Sequence, residues 1–216
     1  GVSTDKACKP VNVMGMTKAI QERIFTSANV LCPRTRFVCV RYGNVLASRG
    51  SVIPLFHEQI RNGGPLTITD ENMTRFLLSL EDAVDTVIAA ITHAQVGETF
   101  IPIAPAANMV NVAKALIGKR NIGIKVIGIR PGEKLYESLI SEEESFRTYR
   151  TAYGYYAIQP ILPEVQKGVL KGRDLIGEYS SDQSILDLEG TIALLEKNNL
   201  MYDEDNVYDE INEMIG

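Results

Sequence analysis

Apolar and polar positions change their period several times along this chain, and each change marks an expected element. From Val13 to about Val30, Met14, Ala19, Ile24 and Phe25 fall among polar residues at helical spacing, after Pro10 and Asn12 and before Pro33. The run from Thr35 to Tyr42, with RFVCVRY at its centre, is short, β-rich and apolar at its heart, which predicts a strand buried in a parallel sheet. Gly43 then opens a loop.

The same reading continues downstream. VIPLFHEQIRN predicts a helix closed by Gly63 and Gly64, LTIT a short strand, and EDAVDTVIAAITHA an amphipathic helix with its acidic residues at the N-terminal end. ETFIPI predicts extended structure, NMVNVAKALIG a helix, KVIGI a strand and EKLYESLIS another helix beginning on an acidic residue. From about Tyr149 the pattern loosens through YGYYAIQPILP into an irregular extension. Two helices are expected to close the chain. Asp187 caps DLEGTIALLEKN, and Val207, Tyr208, Ile211, Met214 and Ile215 form an apolar stripe among acidic residues. The alternation of strands and helices predicts an α/β fold, with no internal repeat.

Composition narrows the function. With 216 residues, 45% of them hydrophobic, and a formal net charge of -5, the chain has the makings of a packed core and no broad basic field for a nucleic acid or an anionic membrane. No run reaches the roughly 18 apolar residues of a membrane span, and no secretion signal is recognisable, so a cytoplasmic protein is expected. Cys8, Cys32 and Cys39 lack C-x-x-C spacing and are read as reduced thiols, with no metal site. The chain opens on Gly1 at what reads as the end of a strand, which suggests the later part of a longer protein.

No G-x-S-x-G elbow, H-E-x-x-H motif or Walker loop is present, and the two histidines, His57 and His93, both fall in helical patterns. What remains is the cluster Thr4, Asp5 and Lys6 at a strand end, with Met14 and Lys18 four apart on the helix that follows. A carboxyl group beside an amine is a candidate proton donor and acceptor. A solvated surface turn is the alternative. Downstream, RYGNVLASRGSV suits a loop whose backbone approaches a phosphate, with a helix N-terminus behind it. Thr67, Thr69 and Arg75 in LTITDENMTRF, and Arg130 with Glu133 in IRPGEK, together suggest a nucleotide diphosphate ligand.

VSTDKACKPVNVMGMTKA, RYGNVLASRGSVIPLF, LTITDENMTRFLLSLEDAV and RPGEKLYESL, in that order, resemble the signatures of UDP-N-acetylglucosamine 4,6-dehydratases. These are extended short-chain dehydrogenase/reductases of bacterial polysaccharide synthesis (capsule and O-antigen). ASRGSVIPLF, MTRFLLSLEDAV, YYAIQP and EYSSD most resemble the branch that inverts carbon 5. The resemblance implies the C-terminal part of a Rossmann-like fold with a small mixed α/β substrate domain. Residues 1–50 would end the dinucleotide-binding domain and carry the catalytic segment, 51–148 would bind the sugar nucleotide, and 149–216 would form a C-terminal extension.

The resemblance also implies roles. NADP, or NAD, is the expected cofactor, contacted here by Ser3, Thr4, Lys18, Tyr42, Asn44 and Val45; its glycine-rich fingerprint is absent from this chain, so the chain is expected not to turn over alone. Lys6, Asn44, Ser51, Val52, Thr67 and Thr69 would contact UDP-N-acetylglucosamine or a related UDP-sugar, Arg75 and Arg130 its phosphates, and Glu133 its ribose. Carbon 4 of the sugar would be oxidised first; Lys6 would then remove the carbon 5 proton while Asp5 protonates the departing carbon 6 hydroxyl. In the wider superfamily a tyrosine occupies the position of Met14 and a lysine that of Lys18. A thioether exchanges no proton, which moves the first deprotonation to Asp5 or to a water held by Thr4. A homo-oligomer is expected of the full-length protein. Two other readings stay open: a UDP-sugar 4-epimerase, which does not need the elimination couple, and a noncatalytic sugar-nucleotide-binding fragment.

Overall fold

The computed structural model of the chain describes residues 1–48, 50–166, 172 and 174–203. β1 (Val2–Thr4) runs into a single 3-10 turn at Asp5–Ala7, and α1 (Val13–Leu31) leads to β2 (Cys39–Tyr42) and β3 (Asn44–Val45). Then follow α2 (Val52–Arg61), β4 (Leu66–Ile68), β5 (Thr74–Leu78), α3 (Leu80–His93), β6 (Thr99–Pro102), β7 (Ala106–Asn108) and α4 (Met109–Ile117). The remainder comprises β8 (Ile124–Val126), β9 (Ser138–Ile140), α5 (Glu142–Ser145), β10 (Thr148–Arg150), β11 (Tyr155–Ile158), β12 (Tyr179–Ser180), β13 (Ile185–Leu186) and α6 (Leu188–Lys197).

Two sheets matter for the site. The larger has the order β1-β2-β6-β11-β10; β1, β2 and β6 are parallel, and β11 and β10 close it antiparallel. The smaller has the order β13-β7-β5-β3. The chain passes from one to the other at Gly43, between β2 and β3. β2 is buried on both faces: Val40 packs with Ala90 and Phe100 beneath α3, while Arg41, the charge in an otherwise apolar run, turns toward α1. A separate core joins α2, α4 and α6, with Phe56, Ile60, Leu66, Leu116 and Leu195 at its centre.

The helices begin where short polar side chains can satisfy their first amide groups. Asn12 accepts from the Gly15 N–H at 2.9 Å, Ser79 from Asp82 at 3.0 Å, Asn108 from Val110 at 2.7 Å and Asp187 from Gly190 at 2.8 Å. Gly118 ends α4 at φ 59°, a conformation that costs glycine little. On α1, Val13, Met16, Ile20 and Ile24 are exposed, and β1 is the edge strand of its sheet.

Two expectations are corrected. EKLYESLIS is not a helix: Gly132 takes φ 83° in a turn, and Ser138, Leu139 and Ile140 form β9, buried on every side and paired with β12. Burial on both faces removes the polar side a surface helix would keep, and the helix start falls later, where Ser141 and Glu144 form a reciprocal capping box on α5. The stretch from Tyr149 onward is not irregular at its beginning; β10 and β11 extend the large sheet from β6. The helix expected around Val207 to Ile215 lies outside the described residues. Among the described residues no helix is long and apolar enough to cross a membrane.

Candidate active site

The site begins where β1 ends. Thr4 accepts the Lys6 N–H at 3.4 Å, starting the tight turn, and donates its own hydroxyl to Asp5 Oδ1 at 2.8 Å. Lys6 Nζ donates to the same oxygen at 2.9 Å. Asp5 is fully buried, and its second oxygen, Oδ2, has no hydrogen-bond partner. Three groups predicted to act together are thus hydrogen bonded into one unit, with a lone acceptor left over.

Two glycines hold this unit in place by close approach. A Cβ on Gly15 would lie 2.2 Å from the Lys6 carbonyl oxygen, so the first turn of α1 rests directly on the turn bearing Lys6. A Cβ on Gly43 would lie 2.8 Å from Phe76 Cβ and 3.3 Å from Asp5 Oδ2. Both positions need hydrogen in place of a side chain. Gly43 was read from the sequence only as opening a loop and Gly15 was not singled out, although a glycine inside the first turn of a helix next to a chemical motif is a signal.

Two cavities of about 250 Å³ each open beside the turn and share Asn44, Arg75 and Glu133. The inner one is walled by Lys6, Asn12, Lys134 and Glu137 as well. The outer one runs past Ser51, Val52, Thr67, Thr69 and Arg130, with Phe56, Met73, Met109 and Ile127 as its apolar wall. Together they make a groove with ionisable groups at one end and a half-apolar slot at the other, the usual character of a small-molecule site.

The walls differ in how far they are already committed. The Arg75 guanidinium donates to the carbonyls of Thr74, Lys134 and Leu135 at 2.7, 2.9 and 3.1 Å, so it fastens the segment after the RPGE turn as well as facing both cavities. Burial pulls Arg75 below its ordinary pKa, against the opposing charge of Glu137. Thr67 exchanges hydrogen bonds with Gln59 at 2.7 and 2.9 Å. In the RPGE turn the Glu133 N–H donates to the Arg130 carbonyl at 3.1 Å, and Glu133 Oε2 accepts from the Arg130 N–H at 3.3 Å. Asn12 Nδ2 ties this turn to α1 through the Gly132 carbonyl at 3.2 Å.

Ser51 behaves differently from every other helix-starting residue named above. It occupies the N-cap of α2, yet its hydroxyl makes no capping bond and is buried without a partner, as is Asn44 Oδ1. The start of a ten-residue helix with its cap unused faces the outer cavity.

The remaining candidates lie elsewhere. Met14 is half exposed on α1, and Lys18 Nζ donates to the Val2 carbonyl at 3.1 Å and to Gln21 at 3.0 Å, beside the open edge of β1. Ser3 is buried on β1 with an unpartnered hydroxyl. Tyr42 ends β2 opposite Thr4, its phenol pushed up in pKa by burial, and Val45, on β3, packs against the cluster containing Phe76. None of these five walls either cavity, and of the Thr4, Asp5 and Lys6 unit only Lys6 does. The thiols of Cys8 and Cys39 are pushed up by burial, to about 12 and about 11.

The groove is formed by strand ends of the smaller sheet, the lysine of a strand-end acid–base turn, a helix start and the RPGE turn. The chain belongs to the polysaccharide biosynthesis protein family, whose model matches residues 1–159. Its fold is that of part of a Rossmann-like short-chain dehydrogenase/reductase. It is 46% identical, over 85% of its length and 58% of the relative's, to the inverting UDP-N-acetylglucosamine 4,6-dehydratase of Campylobacter jejuni. It is 48% identical over 162 residues to the UDP-glucose 4-epimerase of Rickettsia typhi, covering 73% of this chain and 47% of that one. Among solved structures, Pen from Bacillus thuringiensis matches with a TM-score of 0.80 at 36% identity, over 91% of this chain and 60% of that one. The NAD-bound dTDP-glucose 4,6-dehydratase of Bacillus anthracis, 18% identical over 60% of this chain and 50% of that one, shares the fold at a TM-score of 0.51. The chain thus spans about three fifths of the length of the dehydratase relative it matches.

Proposed function

We propose that this chain is the catalytic and substrate-binding part of a UDP-N-acetylglucosamine 4,6-dehydratase that makes a 4-keto-6-deoxy sugar nucleotide for surface polysaccharide. The observation that carries this reading is the hydrogen-bonded Thr4, Asp5 and Lys6 unit, whose Lys6 walls the inner end of a groove that at its outer end suits a nucleoside diphosphate. Elimination of water needs a base and an acid on one sugar. Moving one proton along the 2.9 Å hydrogen bond from Lys6 Nζ to Asp5 Oδ1 converts the ion pair into an amine and a carboxylic acid. The amine then takes the carbon 5 proton, the acid protonates the carbon 6 hydroxyl as it leaves as water, and the pair returns to its charged form. Acid and base thus restore each other in the elimination, and the proton that carbon 5 takes up when carbon 6 is reduced comes from solvent, offsetting the one the carbon 4 hydroxyl gave up.

The other residues position the substrate. Ser51 and the free N–H groups at the start of α2, with Arg130, face the diphosphate; Glu133 accepts from ribose hydroxyls; Asn44 and Arg75 stand where the two cavities meet. The unpartnered Ser3 hydroxyl and Asn44 oxygen, and Lys18 at the open edge of β1, fit a nicotinamide nucleotide, with Thr4, Tyr42 and Val45 alongside. When bound, that group supplies oxidation at carbon 4 and the matching reduction at carbon 6. NADP is our choice over NAD, inversion at carbon 5 over retention, and a cytoplasmic homo-oligomer is the expected working form. Met14 takes no part in proton transfer, which leaves the carbon 4 hydroxyl to Asp5 or to a water on Thr4.

The test uses the native polypeptide with whatever sequence precedes Gly1, given UDP-N-acetylglucosamine in deuterated water. The expected product is a 4-keto-6-deoxy sugar labelled at carbon 5, detected by mass and nuclear magnetic resonance spectroscopy. Lys6→Ala is expected to lower turnover by about a thousandfold, within the usual range for loss of a general base, while weakening nucleotide binding far less. The second reading, a 4-epimerase, draws on the Rickettsia typhi relative; an intact skeleton with only carbon 4 inverted would establish it and sink the dehydratase.

A further inference from the structure

We propose that Glu137 is a sugar-binding residue of the inner cavity, accepting a hydrogen bond from a ring donor that the reaction does not consume. This rests on the reading of the groove given above and assigns a residue that reading does not use. Glu137 lies just before β9, in the stretch the sequence suggested would be helical, and only 4% of it is exposed. Its backbone N–H donates to Ser181 Oγ at 3.0 Å, which fixes the residue without engaging its carboxylate.

The carboxylate is held on one side only. Oε2 lies 3.2 Å from Lys134 Nζ, but the approach lacks hydrogen-bond geometry and that atom has no other partner. Lys134 is itself divided, since it also donates to the Cys8 carbonyl at 3.1 Å. Arg75, which feels the Glu137 charge, has its guanidinium committed to three backbone carbonyls. A carboxylate has about four lone-pair sites to fill, and burying it without filling them is costly. Glu137 therefore retains acceptor capacity while walling the same cavity as Lys6.

That position selects the kind of atom it can meet. A second anion is excluded by charge, the ribose is assigned to Glu133 where the two cavities meet, and the slot of Ser51, Thr67, Thr69 and Arg130 lies beyond that junction. A neutral donor on the hexose remains. The hydroxyls of carbons 4 and 6 react, so the partner is the carbon 3 hydroxyl or the acetamido N–H. Glu137 and Lys134 thus form a second acid–lysine pair on this cavity, used for recognition where Asp5 and Lys6 are used for chemistry.

The experiment measures binding of UDP and of UDP-N-acetylglucosamine by calorimetry to the native polypeptide and to Glu137→Gln, together with kcat and KM. A double variant, Glu137→Ala with Lys134→Met, strands no charge if the single variant folds poorly. The expected result is a loss of about tenfold or more for the sugar nucleotide with UDP held within about twofold, as befits removal of one charged hydrogen bond to the sugar. The 3-deoxy analogue then either loses its sensitivity to Glu137→Gln, naming the carbon 3 hydroxyl, or keeps it, naming the amide. Equal losses for both ligands, or no loss for either, would overturn the assignment and leave Glu137 a structural ion pair. Failure of the unsubstituted protein to bind either ligand would overturn the groove itself, and this assignment with it.

Discussion

Two buried polar clusters lie within a few residues of each other and are built on opposite plans. Around Arg41, all five guanidinium N–H groups have acceptors. They reach Glu22 at 2.9 and 2.6 Å, Glu144 at 2.7 and 2.9 Å, and the Leu139 carbonyl at 2.8 Å. This knot joins α1, β2, β9 and α5. In the groove, by contrast, Asn44 Oδ1 and Ser51 Oγ are buried and unpartnered, as is Asp5 Oδ2 in the turn beside it. Orphaned buried groups cost folding free energy, so a set of them around one groove points to a ligand that completes them. Satisfied polar burial holds the scaffold; unsatisfied polar burial shows where the scaffold is waiting to be used.

The largest expected effect comes from breaking the knot. Arg41→Ala leaves two buried carboxylates facing each other, and should cost about 3–5 kcal/mol of stability, read from the urea midpoint. A loss below about 1 kcal/mol would show the knot to be no more than a surface-grade ion pair.

Acid should loosen the same knot more gently. Burial alone would raise the Glu144 carboxyl, but the Arg41 charge and hydrogen bonds outweigh it and hold Glu144 at about 2, against 4.5 for an ordinary glutamate. A depressed folded-state value contributes stability above the unfolded value and loses it as pH falls toward the folded one. Melting temperature should therefore drop between pH 5 and pH 2, with up to about 3 kcal/mol at stake. Glu144→Gln should flatten that part of the curve; an unchanged slope would place the acid sensitivity elsewhere.

The smallest effect sharpens the contrast between the clusters by comparing two serines. Ser141 caps α5 and takes part in its reciprocal box with Glu144, whereas Ser51 starts α2 with its hydroxyl unused. Ser141→Ala should cost about 1 kcal/mol, and Ser51→Ala about 0.5 kcal/mol or less, by thermal denaturation. The order should invert for UDP binding, where only Ser51→Ala weakens the complex. Equal stability losses would mean that Ser51 has a structural partner after all.

Much of the fold was legible because its signals are local. α1, α2, α3, α4 and α6 follow apolar periodicity, and most carry their own caps, so they begin and end close to where the sequence predicts. β9 was misread because Leu139 and Ile140 are apolar and flanked by serine and glutamate, a pattern a helix start shares; only pairing with β12 decides it. β10 and β11 were hidden by tyrosines and Gly154, which read as loop until β6 is beside them. The site divides the same way. Asp5 and Lys6 are adjacent in sequence and could be seen together, while Glu137 and Lys134 reach the same cavity from more than 120 residues away. Gly15 and Gly43 act through what they lack, and that becomes visible only when the neighbouring backbone is in place.

Gly43 carries one more consequence. The chain changes sheets at this residue, as it does again along α3 and between β6 and β7, so the acid–base turn belongs to one sheet and much of the outer cavity's wall to the other, with a side-chain-free residue at the crossing nearest Asp5. A ligand long enough to occupy both cavities is then a strut across that crossing, and it stabilises by mass action the one arrangement of the two sheets that fits it. On the proposed function, UDP alone would brace one side and the complete sugar nucleotide both, so that the working geometry would be partly made of the substrate.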